Sequence, residues 1–201
     1  TAYSSTNNGI DGDDVTIVGN GNTRTVTIET SETAKAAATK INAVAGATTV
    51  FAQARTAALL RSSSSTDLSY TVKINDVETA AFTLSSAGVT DAVTKINAIT
   101  ASTGVMAAAT TDGKVLLSDA DGDNITIENT STQTTLFVAA VENDGVTTAL
   151  AGGEDNLLAS GGTDLTTIAG TIRLTSTAGF TVTQATAVGA GASFFTDGEV
   201  A

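Results

Sequence analysis

The sequence predicts an α+β fold made of repeated β-β-α-β-β units, in which antiparallel hairpins each pack on one short helix. The main observation is a repeat: Lys40-Ile41-Asn42-Ala43 returns as Lys95-Ile96-Asn97-Ala98, a spacing of 95 − 40 = 55 residues, and the same shift carries Ala52 onto Ala107. A second match has twice that spacing, because residues 11–17 (DGDDVTI) resemble residues 121–127 (DGDNITI), and 121 − 11 = 110. A fixed period of this size is typical of a chain that contains copies of one supersecondary unit.

The first unit, predicted over residues 1–66, contains two strands, one helix and two further strands. Its first two strands alternate apolar with polar residues, and the turn Gly19-Asn20-Gly21-Asn22 between them is rich in residues that tolerate positive φ. An Ala-rich helix follows an N-cap segment, and Gly46 is placed to end it. The predicted elements are strands 14–18 and 24–29, helix 34–44, and strands 48–52 and 56–60.

The second unit, predicted over residues 67–121, repeats this order more clearly. Its first hairpin turns at Asn75-Asp76, and a second hairpin turns at residues 111–113. Helix 90–99 carries an apolar stripe that would pack on the first hairpin. The alternating pattern places five side chains on one buried face: Tyr70, Val72, Ile74, Phe82 and Leu84.

The third unit, predicted over residues 122–201, is a degenerate copy that is mostly β. Strands are predicted at residues 125–127 and 135–138, and a hairpin at residues 170–183 resembles residues 114–127. Ala151-Gly152-Gly153 stands where the other copies have the Ile-Asn-Ala motif, so only a short helical turn is expected, at residues 146–150.

The composition excludes several classes of chemistry. The 201 residues include no Cys, His or Trp, so thiolate nucleophiles, imidazole bases, disulfides and the usual zinc or non-haem iron sites are excluded. An enzyme would depend on carboxylates, Lys or Tyr alone, and we predict no catalytic, cofactor-binding or metal site. The net charge of −12 repels nucleic acid and anionic lipid at long range. No apolar run approaches the roughly 20 residues that span a bilayer.

Two acidic loops are candidates for a calcium site. Asp119, Asp121 and Asp123 alternate around Gly122, but Asn124 stands where an EF-hand loop has Gly, and its final Glu is missing. A turn between strands is the simpler interpretation. The same interpretation applies to the acids of the related loop, Asp11, Asp13 and Asp14.

Two acidic pairs are the nearest candidates for a two-carboxylate site of the glycosidase type. They are Glu29 with Glu32, and Glu154 with Asp155. No feature of the sequence places either pair across a cleft, so solvated loop acids are the preferred interpretation. The glycine-rich turn at residues 19–22 joins two strands rather than a strand and a helix, and a phosphate cradle is therefore not expected.

The repeated asparagines, Asn42 and Asn97, have two interpretations. Structurally, each ends its helix, by adopting the left-handed conformation or by hydrogen-bonding a nearby loop. Functionally, each could contact a ligand. Their identical placement in two units favours the structural role, because a binding site rarely needs doubling.

An ordered series of segments resembles the "IN" repeat of bacterial flagellins and hook-associated proteins. The second unit matches over almost its whole length, the first unit matches well, and the third matches only at its strands. The segments are residues 72–75 (VKIN), 96–98 (INA), 103–107 (TGVMA), 113–118 (GKVLLS) and 122–127 (GDNITI).

The resemblance implies a secreted, surface-exposed outer domain of an extracellular filament that serves motility. In that family the outer domain lies between terminal helical segments that build the filament core and contact neighbouring subunits; this chain carries no such segments and is expected to be monomeric. The resemblance also suggests O-linked glycans, for which residues 62–65 and the Thr-rich strand faces are candidates, whereas Asn129-Thr130-Ser131 is a short match to the N-glycosylation pattern.

Three functions remain open. The first is the outer domain of a flagellin, with no catalytic activity. The second is the outer domain of a hook-associated or filament-cap protein. The third is a carbohydrate-binding or adhesin module, for which exposed aromatic platforms are expected; Tyr3, Tyr70 and six Phe supply few, and most Phe are predicted on core faces.

Overall fold

The computed structural model describes residues 2–3, 8–143, 148–159 and 164–184. The chain has the predicted α+β class, strand-rich with few short helices. Its helices are α1 (Ala34–Ala43), α2 (Ala45–Thr48), α3 (Thr90–Asn97) and α4 (Thr100–Thr103). Its strands are β1 (Ala2–Tyr3), β2 (Asp13–Gly19), β3 (Asn22–Ile28), β4 (Val50–Ser62), β5 (Leu68–Tyr70), β6 (Val72–Ile74), β7 (Val77–Glu78), β8 (Phe82–Leu84), β9 (Met106–Ala109), β10 (Val115–Asp119), β11 (Ile125–Asn129), β12 (Leu136–Asn143), β13 (Thr148–Leu157), β14 (Leu165–Ile168), β15 (Thr171–Ser176) and β16 (Phe180–Gln184).

Each long helix is followed by a single extra helical turn. Helix α1 begins at the predicted cap, where the Thr33 hydroxyl accepts from the Ala36 N–H at 3.2 Å. The prediction that Gly46 ends this helix was wrong, since α1 ends at Ala43 and Gly46 lies inside α2. Helix α2 stops before Thr49, which has a left-handed backbone with φ of 59°. Gly104, with φ of 75°, has the same role after α4. In both places the helix stops by reversing φ immediately before a strand.

Two predicted hairpins turn through paired positive-φ residues. Asn20 and Gly21 have φ of 50° and 71°, and Asn75 and Asp76 have φ of 48° and 66°. Positive φ at both central residues defines the tight two-residue turn whose twist matches that of the flanking strands. The hairpins β2–β3 and β6–β7 therefore form from local sequence.

Strand β4 is longer than predicted. The two strands expected at residues 48–52 and 56–60 are one 13-residue strand. Its first half pairs with β15, and its second half pairs with β10 and β12. The sequence suggested a break at residues 53–55. The strand continues through these residues because each of them pairs with β15.

The two repeats have the same arrangement of strands. We call α3 with β6 to β11 the second repeat, in which β10 pairs with β9 and β11 pairs with β6. We call α1 with β2 to β4, β15 and β16 the first repeat, in which β15 pairs with β4 and β16 pairs with β2. Residues 171–184 therefore resemble residues 115–129 as predicted, but the two strands join different sheets rather than forming a hairpin.

Strands β11 and β12 of the predicted third unit lie apart. Strand β11 lies between β14 and β6, while β12 lies between β13 and β4. The helical turn expected at residues 146–150 falls partly outside the described residues, and Thr148 begins β13. The division into units 1–66, 67–121 and 122–201 stays a prediction.

Two apolar clusters form the core, one for each repeat. In the second repeat Ala92 and Ile96 of α3 pack against the predicted face of the hairpin, whose five residues are 0–1% exposed. In the first repeat Ala37 and Ile41 of α1 have the same place. Strand β4 contributes Val50 to the first cluster and Leu60 to the second, which joins the two repeats.

Candidate functional site

The repeated asparagines form the same contact in both repeats. The Asn42 amide nitrogen donates to the Ala52 carbonyl oxygen at 2.9 Å, and its side-chain oxygen accepts from the Ala52 N–H at 2.8 Å. The Asn97 amide makes the same two bonds with Ala107, at 2.9 and 2.8 Å. We call each pair of bonds an asparagine clasp. Since 97 − 42 = 55 and 107 − 52 = 55, the clasp repeats with the sequence period.

A threonine hydroxyl repeats beside each clasp. The Thr48 hydroxyl donates to the Val44 carbonyl at 3.2 Å and accepts from the Val50 N–H at 3.3 Å. Fifty-five residues later, the Thr103 hydroxyl donates to the Ile99 carbonyl at 3.2 Å and accepts from the Val105 N–H at 3.2 Å. The link between helix and strand therefore has the same hydrogen bonds in both repeats.

The clasps satisfy backbone groups at strand edges. Strand β9 ends its sheet, and Ala107 lies opposite Leu117 of β10. Because both backbone groups of Ala107 bond to Asn97, they point away from β10, toward the free edge. The carboxamide thus takes the place of another strand, and a free edge is otherwise a template for pairing with a second chain. This result supports the structural interpretation of Asn42 and Asn97, although neither residue is left-handed.

The loop that resembles a calcium site is a hydrogen-bonded turn. The Asp119 side-chain oxygen accepts from the N–H groups of Asp121, Gly122 and Asp123 at 2.9, 2.9 and 3.2 Å. The Lys35 ammonium lies 3.2 Å from Asp121 and 2.7 Å from Asp123. Hydrogen bonds to Asp123 and Asp121 raise the pKa of Lys35 above its ordinary value. These three carboxylates therefore stabilise a turn and join it to α1.

The acids of the related loop also make local contacts. The Asp13 carboxylate accepts from the Asp14 N–H at 2.7 Å, and the Thr27 hydroxyl donates to Asp14 at 2.6 Å. Asp11 is exposed. Within the described residues no group of three or more acidic, His or Cys side chains is arranged to hold a metal ion.

The acidic pairs point to different partners. Glu32 accepts from the Glu29 N–H at 2.6 Å and pairs with Lys40 at 2.9 Å. Asp155 accepts from the Thr166 hydroxyl at 2.8 Å. Since side chains of successive strand residues point to opposite faces, Glu154 and Asp155 do not meet across a cleft.

Glu154 belongs to a group on the outer face of the large sheet. The Arg61 guanidinium makes two hydrogen bonds to its carboxylate, one of 2.7 Å from Nε to Oε1. The same guanidinium lies over the Phe137 ring, 4.4 Å from its centre. The Arg61 hydrogen bonds lower the pKa of the Glu154 carboxyl below its ordinary value, and the carboxylate raises the pKa of Arg61.

Two candidate glycan sites are buried. Asn129 is 0% exposed, and its amide nitrogen donates to the carbonyls of Gln133, Leu157 and Leu158 at 2.8, 3.0 and 3.2 Å. A nitrogen with this environment is closed to glycosylation in the folded chain. Ser62, proposed with residues 63–65 as an exposed acceptor, is also buried and lies 2.7 Å from the Tyr70 hydroxyl.

The outer face of β4 and β9 exposes two large apolar residues. Phe51 is 56% exposed and Met106 is 60% exposed, and they stand at equivalent positions because 106 − 51 = 55. Of the four Phe in the described part of the chain, Phe82 is buried in the core and Phe180 packs half-buried against the core, whereas Phe51 and Phe137 lie on outer faces. The expectation that most Phe lie on core faces stays a prediction. Phe194 and Phe195 lie outside the described residues. Successive residues of a strand point to opposite faces, so Phe51 points outward because Val50 before it is buried. This alternation is the sequence signal that could have identified Phe51 as exposed.

Comparisons with known proteins give no match, either to protein-family models or to curated proteins. In the described part of the chain, no helix is long and apolar enough to cross a membrane.

Proposed function

We propose that this chain is a structural module without catalytic activity, the surface-exposed outer domain of a bacterial flagellin. The observation that carries the proposal is the repeated asparagine clasp. It provides a physical reason for the Ile-Asn motif, because Ile41 and Ile96 anchor the helix in the core while the next residue secures the strand edge. The Ile-Asn segment of the series that resembles flagellins therefore has one structural role in both repeats.

The contacts of the acidic residues that were candidates for a site also support a structural role. The sequence-predicted acids that have described contacts stabilise turns, caps or ion pairs, and they are dispersed over several elements. The buried side-chain polar atoms of the described residues all have hydrogen-bond partners. An active site usually keeps a polar group uncommitted for its substrate, so this pattern favours stability.

The charge of the chain suits a crowded surface. A net charge of −12 causes mutual repulsion between copies. The asparagine clasps also occupy the edges of β4 and β9 at Ala52 and Ala107, which limits pairing with a neighbour there. In this proposal the chain is secreted, lies outside the cell on the flagellum, and serves motility by covering the filament without joining adjacent filaments.

The test is to read the gene on both sides of this segment and to express the complete product. Long amphipathic helical segments on both sides, and polymerisation of the product into long filaments, are the expected result. Helical flanks on a product that does not form filaments would favour a hook-associated or cap protein. A cell-wall anchor or tandem adhesive domains in the flanks would refute the flagellar proposal and favour an adhesin.

A further inference from the structure

Strands β4 and β15 form a pair with one covered face and one exposed face. Helix α1 covers the other face of this strand pair, where Ala54 and the half-buried Ala52 and Ile172 pack with α1. The alternate residues point to solvent. We call this surface the β4–β15 face, and it consists of Phe51, Gln53, Arg55, Thr171, Arg173 and Thr175.

Two arginines that make no ion pair with any described residue lie together on this face. The chain has 21 acidic residues and only nine Lys and Arg. Five of those cations form ion pairs, namely Lys35, Lys40, Arg61, Lys73 and Lys114. Arg55 and Arg173 are exposed, and neither makes an ion pair with any described residue.

The strand register places the two arginines as diagonal neighbours. Arg55 lies opposite Thr171, and Arg173 lies opposite Gln53. Diagonal positions across an antiparallel pair are about 7–8 Å apart, within reach of two long side chains that converge on one anion. Like charges at this separation repel each other, so a bound carboxylate would relieve an unfavourable contact.

An exposed aromatic ring completes the surface. Phe51 lies opposite Thr175 and is therefore diagonal to Arg173 on the side away from Arg55. Phe51 is 56% exposed. Arg173 thus has a second cation on one side and an apolar ring on the other.

We propose that the β4–β15 face binds a sugar acid, a pyranose ring that carries a carboxylate. The planar guanidinium groups of Arg55 and Arg173 match a carboxylate through paired hydrogen bonds. Phe51 supplies an apolar surface for one face of the sugar ring.

The acids beside this face are Asp121 and Asp123, whose turn approaches the Arg55 backbone at Gly122, and both are paired with Lys35. Charges more than about 8 Å away are screened at physiological salt. This site does not depend on the flagellar proposal.

The experiment is a titration of the ¹⁵N-labelled chain with a trimer of galacturonic acid, followed by amide chemical shifts. Maltotriose, a neutral trimer, is the ligand control. The variants are Arg173→Gln and Phe51→Ser, and Arg24→Gln is the matched control because Arg24 is also exposed and without an ion pair to described residues. Circular dichroism verifies that each variant is folded.

The expected result is a set of shifts confined to β4 and β15, with binding weakened roughly tenfold or more by Arg173→Gln and unchanged by Arg24→Gln. Three results would overturn the proposal: no binding by the native chain, equal binding of maltotriose, or equal weakening by Arg24→Gln. Self-association of the native chain in sedimentation, abolished by Arg173→Gln, would also overturn it by identifying a second copy as the occupant.

Discussion

Replacing Asn97 by Ala removes one asparagine clasp and leaves the other intact. Two hydrogen bonds to Ala107 are lost, and each contributes about 1 kcal/mol net. Ala is a better helix former than Asn by up to about 0.7 kcal/mol, which offsets part of the loss at the last residue of α3. The free energy of unfolding should therefore fall by about 1–2 kcal/mol.

Urea and thermal unfolding measure this change. For a chain of this length each kcal/mol lowers the midpoint by about 2–4 °C, so we expect a decrease of roughly 2–8 °C for Asn97→Ala. The control is Asn156→Ala, an exposed residue of β13, which should change stability by less than about 0.5 kcal/mol. Because the edge of β9 is opened, Asn97→Ala should also form dimers or larger species in light scattering at concentrations where the control stays monomeric.

A second substitution tests the geometry of the clasp rather than the size of the side chain. Asn97→Asp keeps an acceptor for the Ala107 N–H but places a carboxylate against the Ala107 carbonyl. At neutral pH it should destabilise more than Asn97→Ala, and it should regain stability at acid pH, where the protonated acid donates to the carbonyl. The clasp would be refuted as a stabilising contact if Asn97→Ala unfolded with the same midpoint as Asn156→Ala.

Three further changes have expected outcomes. Tyr70→Phe removes a buried hydroxyl that bonds two others at 2.7 Å and should cost about 1–3 kcal/mol in urea unfolding; a neutral result would contradict the buried network. Folding lowers the pKa of Glu154, so its contribution to stability is present above the unfolded carboxyl pKa and is lost as pH falls through the folded value; Glu154→Gln should therefore lose less stability than the native chain between neutral and acid pH, and parallel curves would refute this. Gly122→Ala would place a Cβ 2.3 Å from the Ala54 Cβ at φ of 84° and should destabilise by at least about 2 kcal/mol, whereas Gly46→Ala, with nothing within 4 Å, should be neutral or stabilising.

The sequence was sufficient to predict the elements that depend on local pattern. The alternation around Asn75-Asp76 predicted both the turn and the buried face, and the apolar spacing predicted α1 and α3 to within a few residues. The 55-residue period also predicted that Asn42 and Asn97 have one role. These features follow from local backbone preferences and the spacing of apolar side chains, which are contained in short segments.

Long-range pairing could not be predicted in the same way. Strand β15 pairs with residues 50–55, more than 100 positions earlier, and many alternating strands of the chain could have supplied an equivalent partner. The burial of Asn129 and Ser62 depends on such pairing, because Leu157 lies against Asn129 and Leu136 of β12 lies opposite Ser62. Alternation defines the two faces of a strand, but the neighbouring strand is selected by the packing of the whole core.

The most direct test of the central claim is immunogold electron microscopy of the cells that produce this chain, with antibodies raised against the purified chain. The flagellar proposal predicts gold particles along the whole length of the filaments, because every subunit would display this domain. Label confined to the filament tip or to the junction with the hook would place the chain in a cap or hook-associated protein. Label on the cell body, with unlabelled filaments, would contradict the proposal.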